Sequence, residues 1–299
     1  MLDWGGRGKP IILLAGGGQT AHIFDDFAPK LGAGWHVYGI TRRGYGSSGY
    51  SATNVNAHNA FAVRVNASGD SFGDDVFAVI DALKLKRPIL IGHSIAGAEL
   101  SSVANNHPGR IAGLVYLDAA HSYAFDNGQG ADAREMQALR GPQPPPPEPA
   151  DLASFTALQK YFERVDGFRF PEAELREEWE STAGGRVIKQ RDFPGNAMLF
   201  SLFMNPRKYT NIPVPALLIF SNPHSQGAWV EGSTDASVRA AADAYSAALA
   251  ALTDKQEKAV KDTVPAAHVV TLPNADHFIF LSNAADVLRE IRGFLAGLD

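Results

Sequence analysis

Short apolar runs alternate with longer amphipathic stretches along most of the chain. The runs at residues 11–15, 36–40, 88–92, 113–118, 216–221 and 268–272 read as strands. Several are apolar nearly throughout, as strands of a parallel sheet covered on both faces must be. Between them, residues 21–31, 74–84, 94–107, 236–252 and 284–298 read as helices. The alternation predicts an α/β fold built on a mostly parallel, doubly wound sheet. Two stretches break the rhythm. Residues 50–69, rich in Asn, Ala and Ser, read as a long surface excursion ahead of a helix starting near Asp70. Residues 121–212 are too long for a single crossover. They hold Gly-Pro-Gln-Pro-Pro-Pro-Pro at 141–147 and amphipathic segments near 152–165 and 172–181. A helical cap over 121–212, entered through a stiff proline spacer, is expected to interrupt a core made of 1–120 and 213–299.

Composition narrows the partners. With 45% hydrophobic and 20% charged side chains over 299 residues, the chain is expected to be globular, with one large core, and neither disordered nor fibrous. Its net charge of -5 and lack of a basic run make nucleic acid an unexpected partner and leave a small molecule. Without cysteine there is no disulfide, thiolate nucleophile or cysteine-held metal. No metal site is expected from the histidines either, since no H-E-x-x-H occurs. The apolar runs fall far short of the about 20 residues of a membrane helix, so no span is expected. Residues 1–6 lack the charged and apolar regions of an export signal, and none is expected in this chain.

Chemistry enters at Gly92-His93-Ser94-Ile95-Ala96-Gly97. A strand runs into this turn and a helix leaves it, the context of a G-x-S-x-G nucleophile. Serine in such a turn is often only a helix cap. The tiny residues two before and two after Ser94, Gly92 and Ala96, are what point to a strained, exposed hydroxyl.

Four landmarks in order carry a resemblance: Leu14-Ala15-Gly16-Gly17-Gly18, Arg42-Arg43-Gly44-Tyr45-Gly46-Ser47-Ser48, the Ser94 turn, and Leu272-Pro273-Asn274-Ala275-Asp276-His277-Phe278. With them the chain resembles the α/β-hydrolase fold family from about residue 9 to residue 298. The resemblance implies that Ser94 is the nucleophile and His277 the base. The other histidines, His22, His36, His58, His93, His107, His121, His224 and His268, are read as packing or solvent-facing residues. The family's commonest acid position follows the strand at 216–221, but Asn222-Pro223-His224-Ser225-Gln226-Gly227 has no carboxylate. The strand at 113–118 ends in Asp118, similar to haloalkane dehalogenases that carry their acid there, so Asp118 is the expected acid. Asp276 adjoins His277, and Glu99 sits too far down the nucleophile's helix; both fit less well. Backbone N–H groups of Ile95 and Gly17 are the implied oxyanion donors, with Gly18 next in line. Similar proteins open with a strand pair ahead of the strand at 11–15. Only a short segment precedes it here, implying a trimmed sheet or a shortened chain.

Expected pocket walls are Phe24, Tyr123, Phe125, Phe200, Phe203, Trp229 and Phe278, which favour a hydrophobic substrate. The implied activity is hydrolysis of a carboxylic ester, lactone or thioester by a cofactor-free serine enzyme. Serine in place of aspartate argues against dehalogenase or epoxide hydrolase chemistry. Two rivals remain. Gly16-Gly17-Gly18-Gln19-Thr20-Ala21 satisfies a dinucleotide pattern, and Arg42-Arg43 could hold the 2′-phosphate of NADP. That reading leaves the Ser94 turn and His277 unexplained. The hydrolase reading makes Arg42-Arg43-Gly44 a turn that ties loops beneath the site. The second rival is a small-molecule receptor on the same fold, which turnover would distinguish.

Overall fold

The computed structural model describes residues 1–49, 69–204 and 208–298. The excursion read at 50–69 therefore lies, except for Gly69, outside the described residues. Nine strands occur among those described: β1 (Leu2–Gly6), β2 (Lys9–Leu14), β3 (Trp35–Ile40), β4 (Ile89–His93), β5 (Gly113–Leu117), β6 (Trp179–Ser181), β7 (Val187–Gln190), β8 (Ala216–Ser221) and β9 (Ala267–Leu272). Seven form one sheet in the order β1-β3-β2-β4-β5-β8-β9. Only β1 is antiparallel to its neighbour; the other pairs are parallel. Alternation along β2 explains the two layers of core. Ile11 and Leu13 pack into one cluster, Ile12 and Leu14 into the other, and helices cover both.

All six expected strands are present. The short segment ahead of β2, which was not expected to be a strand, is itself the edge strand β1. Its Leu-Asp-Trp-Gly-Gly sequence hid it, because an edge strand paired on one side needs no apolar run. The helix expected at 21–31 is instead two short 3₁₀ turns, Ala21–Phe24 and Ala28–Leu31. Pro29 lacks the N–H that a continuous helix would need there. The helix expected to stop at 252 runs on as Ala236–Thr263. Its later turns bury Thr253, Gln256 and Glu257, polar residues that conceal a helical face from a reading of hydrophobic period. Gln256 uses its amide fully: Nε2 donates to Ala120 O and Phe125 O, both at 2.9 Å, and Oε1 accepts from Ala131 N. It thereby fixes the loop leaving β5.

Strand order places the site. The chain passes from β2 to β3 on one side and then to β4 on the other, so the sheet's direction of growth reverses between β2 and β4. Loops leaving such neighbouring strands diverge and open a crevice. Leu14 is level with Gly92, and His93 with Leu117, so the loops after β2, β4 and β5 emerge side by side.

Between β5 and β8 the described residues form four helices, Ala133–Ala138, Phe155–Asp166, Glu172–Glu178 and Gly195–Met204, and the β6–β7 hairpin. The amphipathic segment read to 181 leaves its helix at Glu178 and becomes β6. The proline run is tied down where the Tyr161 hydroxyl donates to Pro145 O at 2.7 Å. A buried anchor joins this region to the loop after β2: Thr20 N donates to Glu174 Oε1 at 2.7 Å and Thr20 Oγ1 to Oε2 at 2.6 Å. Burial, and then the neighbouring Glu178 charge, raise the Glu174 carboxyl well above the usual range; burial pushes Glu178 up to about 7. A folded value above the unfolded one favours the fold at low pH, and that contribution is lost as pH rises through about 7. Glu178→Gln is therefore expected to match the parent in thermal unfolding at about pH 4, just below the unfolded value. At pH 8 it should melt higher, by roughly 2 °C for each kcal/mol relieved.

Candidate active site

The turn after β4 has the backbone a nucleophile needs. Ser94 sits at φ 51°, where a side chain with a Cβ is strained, and Ile95 returns to helical angles ahead of the helix Ala96–Asn106. Small residues are obligatory around it. A Cβ on Gly92 would stand 3.1 Å from that of Ala96, and one on Gly97 only 1.9 Å from the Ala119 carbonyl oxygen. Ala96 in the place of a second glycine is therefore accommodated, whereas Gly97 is fixed by the backbone beside Asp118. Asp118, directly after β5, is also at positive φ, 46°.

Ser94, Asp118 and His277 line one cavity of 430 Å³. Asp118 is fully buried, and its Oδ2 accepts from His277 Nδ1 at 2.6 Å while Oδ1 accepts from the Ser221 amide at 3.1 Å. A carboxylate can only accept, so the proton lies on Nδ1 and the His277 Nε2 lone pair is free to act as a base. The His277 side chain is 39% exposed. Its loop is held from behind: His93 Nε2 bonds the His277 carbonyl at 3.0 Å, and the Phe278 ring stacks near His93 at 4.9 Å. Burial, and then the nearby His277, hold His93 well below the usual imidazole range, so it donates as a neutral ring.

Two further groups meet the site, and reasoning from sequence assigned them no catalytic part. His224, read as a bystander, points Nε2 at the same Asp118 Oδ2 at 2.7 Å. Burial would raise the Asp118 carboxyl, but the charges and hydrogen bonds of His224 and His277 outweigh it and hold the group well below the usual carboxylate range. His121 stands 3.7 Å from Asp118 Oδ1, and burial pushes it down to about 4, so it is neutral near pH 7. Tyr123 lines the cavity as expected, and its phenol is hydrogen-bonded to Ser94. Burial, and then the Asp118 charge, raise that phenol, so it stays protonated. His224 meets Asp118 because its loop leaves β8, which is paired with β5, the strand ahead of Asp118, a pairing that no local signal encodes.

The loop after β2 is tied from below. Arg42, buried, donates from Nη1 to Gly16 O at 3.0 Å and from Nη2 to Ala15 O at 2.9 Å, and its Nε pairs with buried Glu99. This matches the reading of Arg42 as a tie and removes it as a phosphate ligand. The dinucleotide reading also lacks its α-helix, since Ala21–Phe24 is a single 3₁₀ turn. Gly17 lies beside Ile95: a Cβ on it would reach 3.7 Å from Ile95 Cγ2 and 2.9 Å from Leu199.

The other expected walls divide. Phe24 is fully buried in the core, 4.6 Å from the ring of Phe280, and Phe125 is buried on the opposite face; neither lines the cavity. Trp229 lines a smaller cavity of 100 Å³ that shares His224, Ser225, Tyr245 and Leu249 with the first. Phe278 packs behind His277, with Phe170 5.1 Å away. The side chains of Phe200 and Phe203 lie outside the described residues. Met136, Tyr245 and Leu249, unexpected from sequence, supply apolar wall instead. As for metals, Asp118, His224 and His277 offer ligand atoms within 4.8 Å of one another. Separations of 2.6 and 2.7 Å to one oxygen are those of hydrogen bonds, which account for the cluster.

Comparison with known proteins agrees with this architecture. The profile of the alpha/beta hydrolase family matches residues 11–290. A non-heme chloroperoxidase of Streptomyces lividans is 33% identical over 120 residues, 39% of each chain. The chain spans about two fifths of the length of the curated relatives it matches. Among solved structures, E-2-(acetamidomethylene)succinate hydrolase superposes with a TM-score of 0.61 at 16% identity, covering 98% of this chain and 93% of that one. A carboxylesterase from Bacillus subtilis gives 0.58 at 16%, covering 98% and 86%. At such identities the likeness shows the fold.

Proposed function

The chain belongs to the alpha/beta hydrolase family, and on that premise we propose that it is a serine hydrolase. In this reading it cleaves a carboxylic ester, lactone or thioester of a small to medium, largely apolar substrate through an acyl-enzyme. The observation that carries the reading is the strained Ser94 opening into the same cavity as the buried Asp118–His277 pair.

Ser94 Oγ attacks the carbonyl carbon as His277 Nε2 takes its proton. The new oxyanion accepts hydrogen bonds from the backbone N–H groups of Ile95 and Gly17, each contributing a few kcal/mol. His277 passes its proton to the departing alcohol or thiol, leaving Ser94 acylated. Water then repeats the sequence with His277 again as base, releasing the acid and restoring Ser94. Asp118 holds His277 in the required tautomer and balances its transient charge. The insertion over 121–212 acts as the cap, contributing Met136 and Gln137 to the cavity.

Hydrolysis of p-nitrophenyl esters of graded acyl length tests the activity. Rates are expected to pass through a maximum at short to medium chains, as a 430 Å³ cavity with apolar side chains fills. Equal rates at all lengths, or none, would contradict the reading.

A further inference from the structure

We propose that His224 is a positioning residue of this triad, a second imidazole that shares the Asp118 carboxylate with His277 and couples the protonation of the two rings. The inference rests on the serine-hydrolase reading for its kinetic consequence, though not for the coupling itself.

Both rings bond the same oxygen, Asp118 Oδ2, at 2.6 and 2.7 Å. Because the acceptor is a carboxylate, both rings donate through these bonds, and a second proton on either would sit on the opposite nitrogen, which in His224 is the buried Nδ1. Their centroids are 6.2 Å apart. Two positive rings at that distance repel, and a single buried anion cannot fully compensate both. Protonation of either ring therefore opposes protonation of the other. The second bond also fixes the carboxylate plane: with Ser221 N on Oδ1 and two imidazoles on Oδ2, a buried Asp118 has little freedom to rotate away from His277.

The groups facing His224 come from three elements. Asp118 and His121 follow β5, Asp276 and His277 lie in the loop after β9, and Tyr245 comes from the helix Ala236–Thr263. Burial pulls the His224 imidazole down, but Asp118, and then Asp276, more than offset it and place it above the ordinary imidazole value. Neutral His121 adds no charge near pH 7, while burial raises Asp276.

Two variants of the full chain test this. His224→Phe is expected to lower kcat about 10- to 100-fold with KM changed less than about threefold, since the triad and not the cavity is disturbed. His224→Gln places an amide N–H where Nε2 was and is expected to recover at least about threefold in kcat over the Phe variant. In both, the acid limb of kcat/KM should move up by about one pH unit, because the competing positive ring is gone. An NMR titration of the ring nitrogens of His277 reads the same coupling without turnover and should move in the same direction. An unmoved acid limb and an unmoved His277 titration in both variants would overturn the inference, as would a Gln variant as slow as the Phe variant. If the parent shows no Ser94-dependent turnover, the serine-hydrolase reading fails, and the NMR titration alone still decides whether the rings are coupled.

Discussion

Asp118→Asn is expected to lower kcat by about 10⁴-fold while leaving KM within a few-fold and the fold intact. The amide is nearly the same size, so the buried site stays filled, but it carries no charge to balance a protonated His277. It also offers N–H donors toward two imidazoles that now donate, so the His277 tautomer is no longer fixed. Steady-state kinetics beside a circular dichroism spectrum checks this. A folded variant with near-normal kcat would remove Asp118 from the triad. The same carboxyl also bears on stability. Its folded value lies well below the usual one, so its contribution is present above the unfolded value near pH 4 and is lost only as pH falls through the folded value.

Arg42→Met is expected to cost about 3–5 kcal/mol of stability, because it leaves the Glu99 carboxyl buried without its partner. It should also reduce kcat by about tenfold or more. The carbonyls of Ala15 and Gly16 lose the guanidinium that holds them, and with them goes the placement of the Gly17 N–H that is proposed to meet the oxyanion. The two effects separate in the double variant Arg42→Met, Glu99→Leu. Removing the stranded charge should restore much of the stability measured by urea unfolding, while kcat stays low. Recovery of both would mean that Arg42 acts only through the stability of the fold.

The fold was largely legible because buried parallel strands are apolar on both faces, and runs such as Ile89-Leu90-Ile91 announce themselves. Departures from that logic were hidden. β1 is half-exposed and glycine-rich, Pro29 splits one helix, and the buried Gln256 and Glu257 disguise the last turns of another. Ser94 was readable because its turn is a local object made by residues within a few positions. Asp118 and His277 were readable through their places at strand ends. The bond from His224 to Asp118 was not, since it depends on β8 lying beside β5, a neighbour relation that no local pattern encodes. Two of the expected aromatic walls were misplaced for a related reason. Phe24 and Phe125 are as apolar as any pocket residue, and only their side of the sheet decides that they fill the core.

Whether Ser94 is a nucleophile activated by His277 is decided by reacting the protein with a fluorophosphonate and locating the adduct by intact-mass and peptide mass spectrometry. One equivalent bound at Ser94, no adduct in Ser94→Ala, and loss of ester hydrolysis in step with labelling are expected. A folded protein that takes no label and turns over no ester would contradict this role for Ser94. So would a label on another residue with hydrolysis retained in Ser94→Ala.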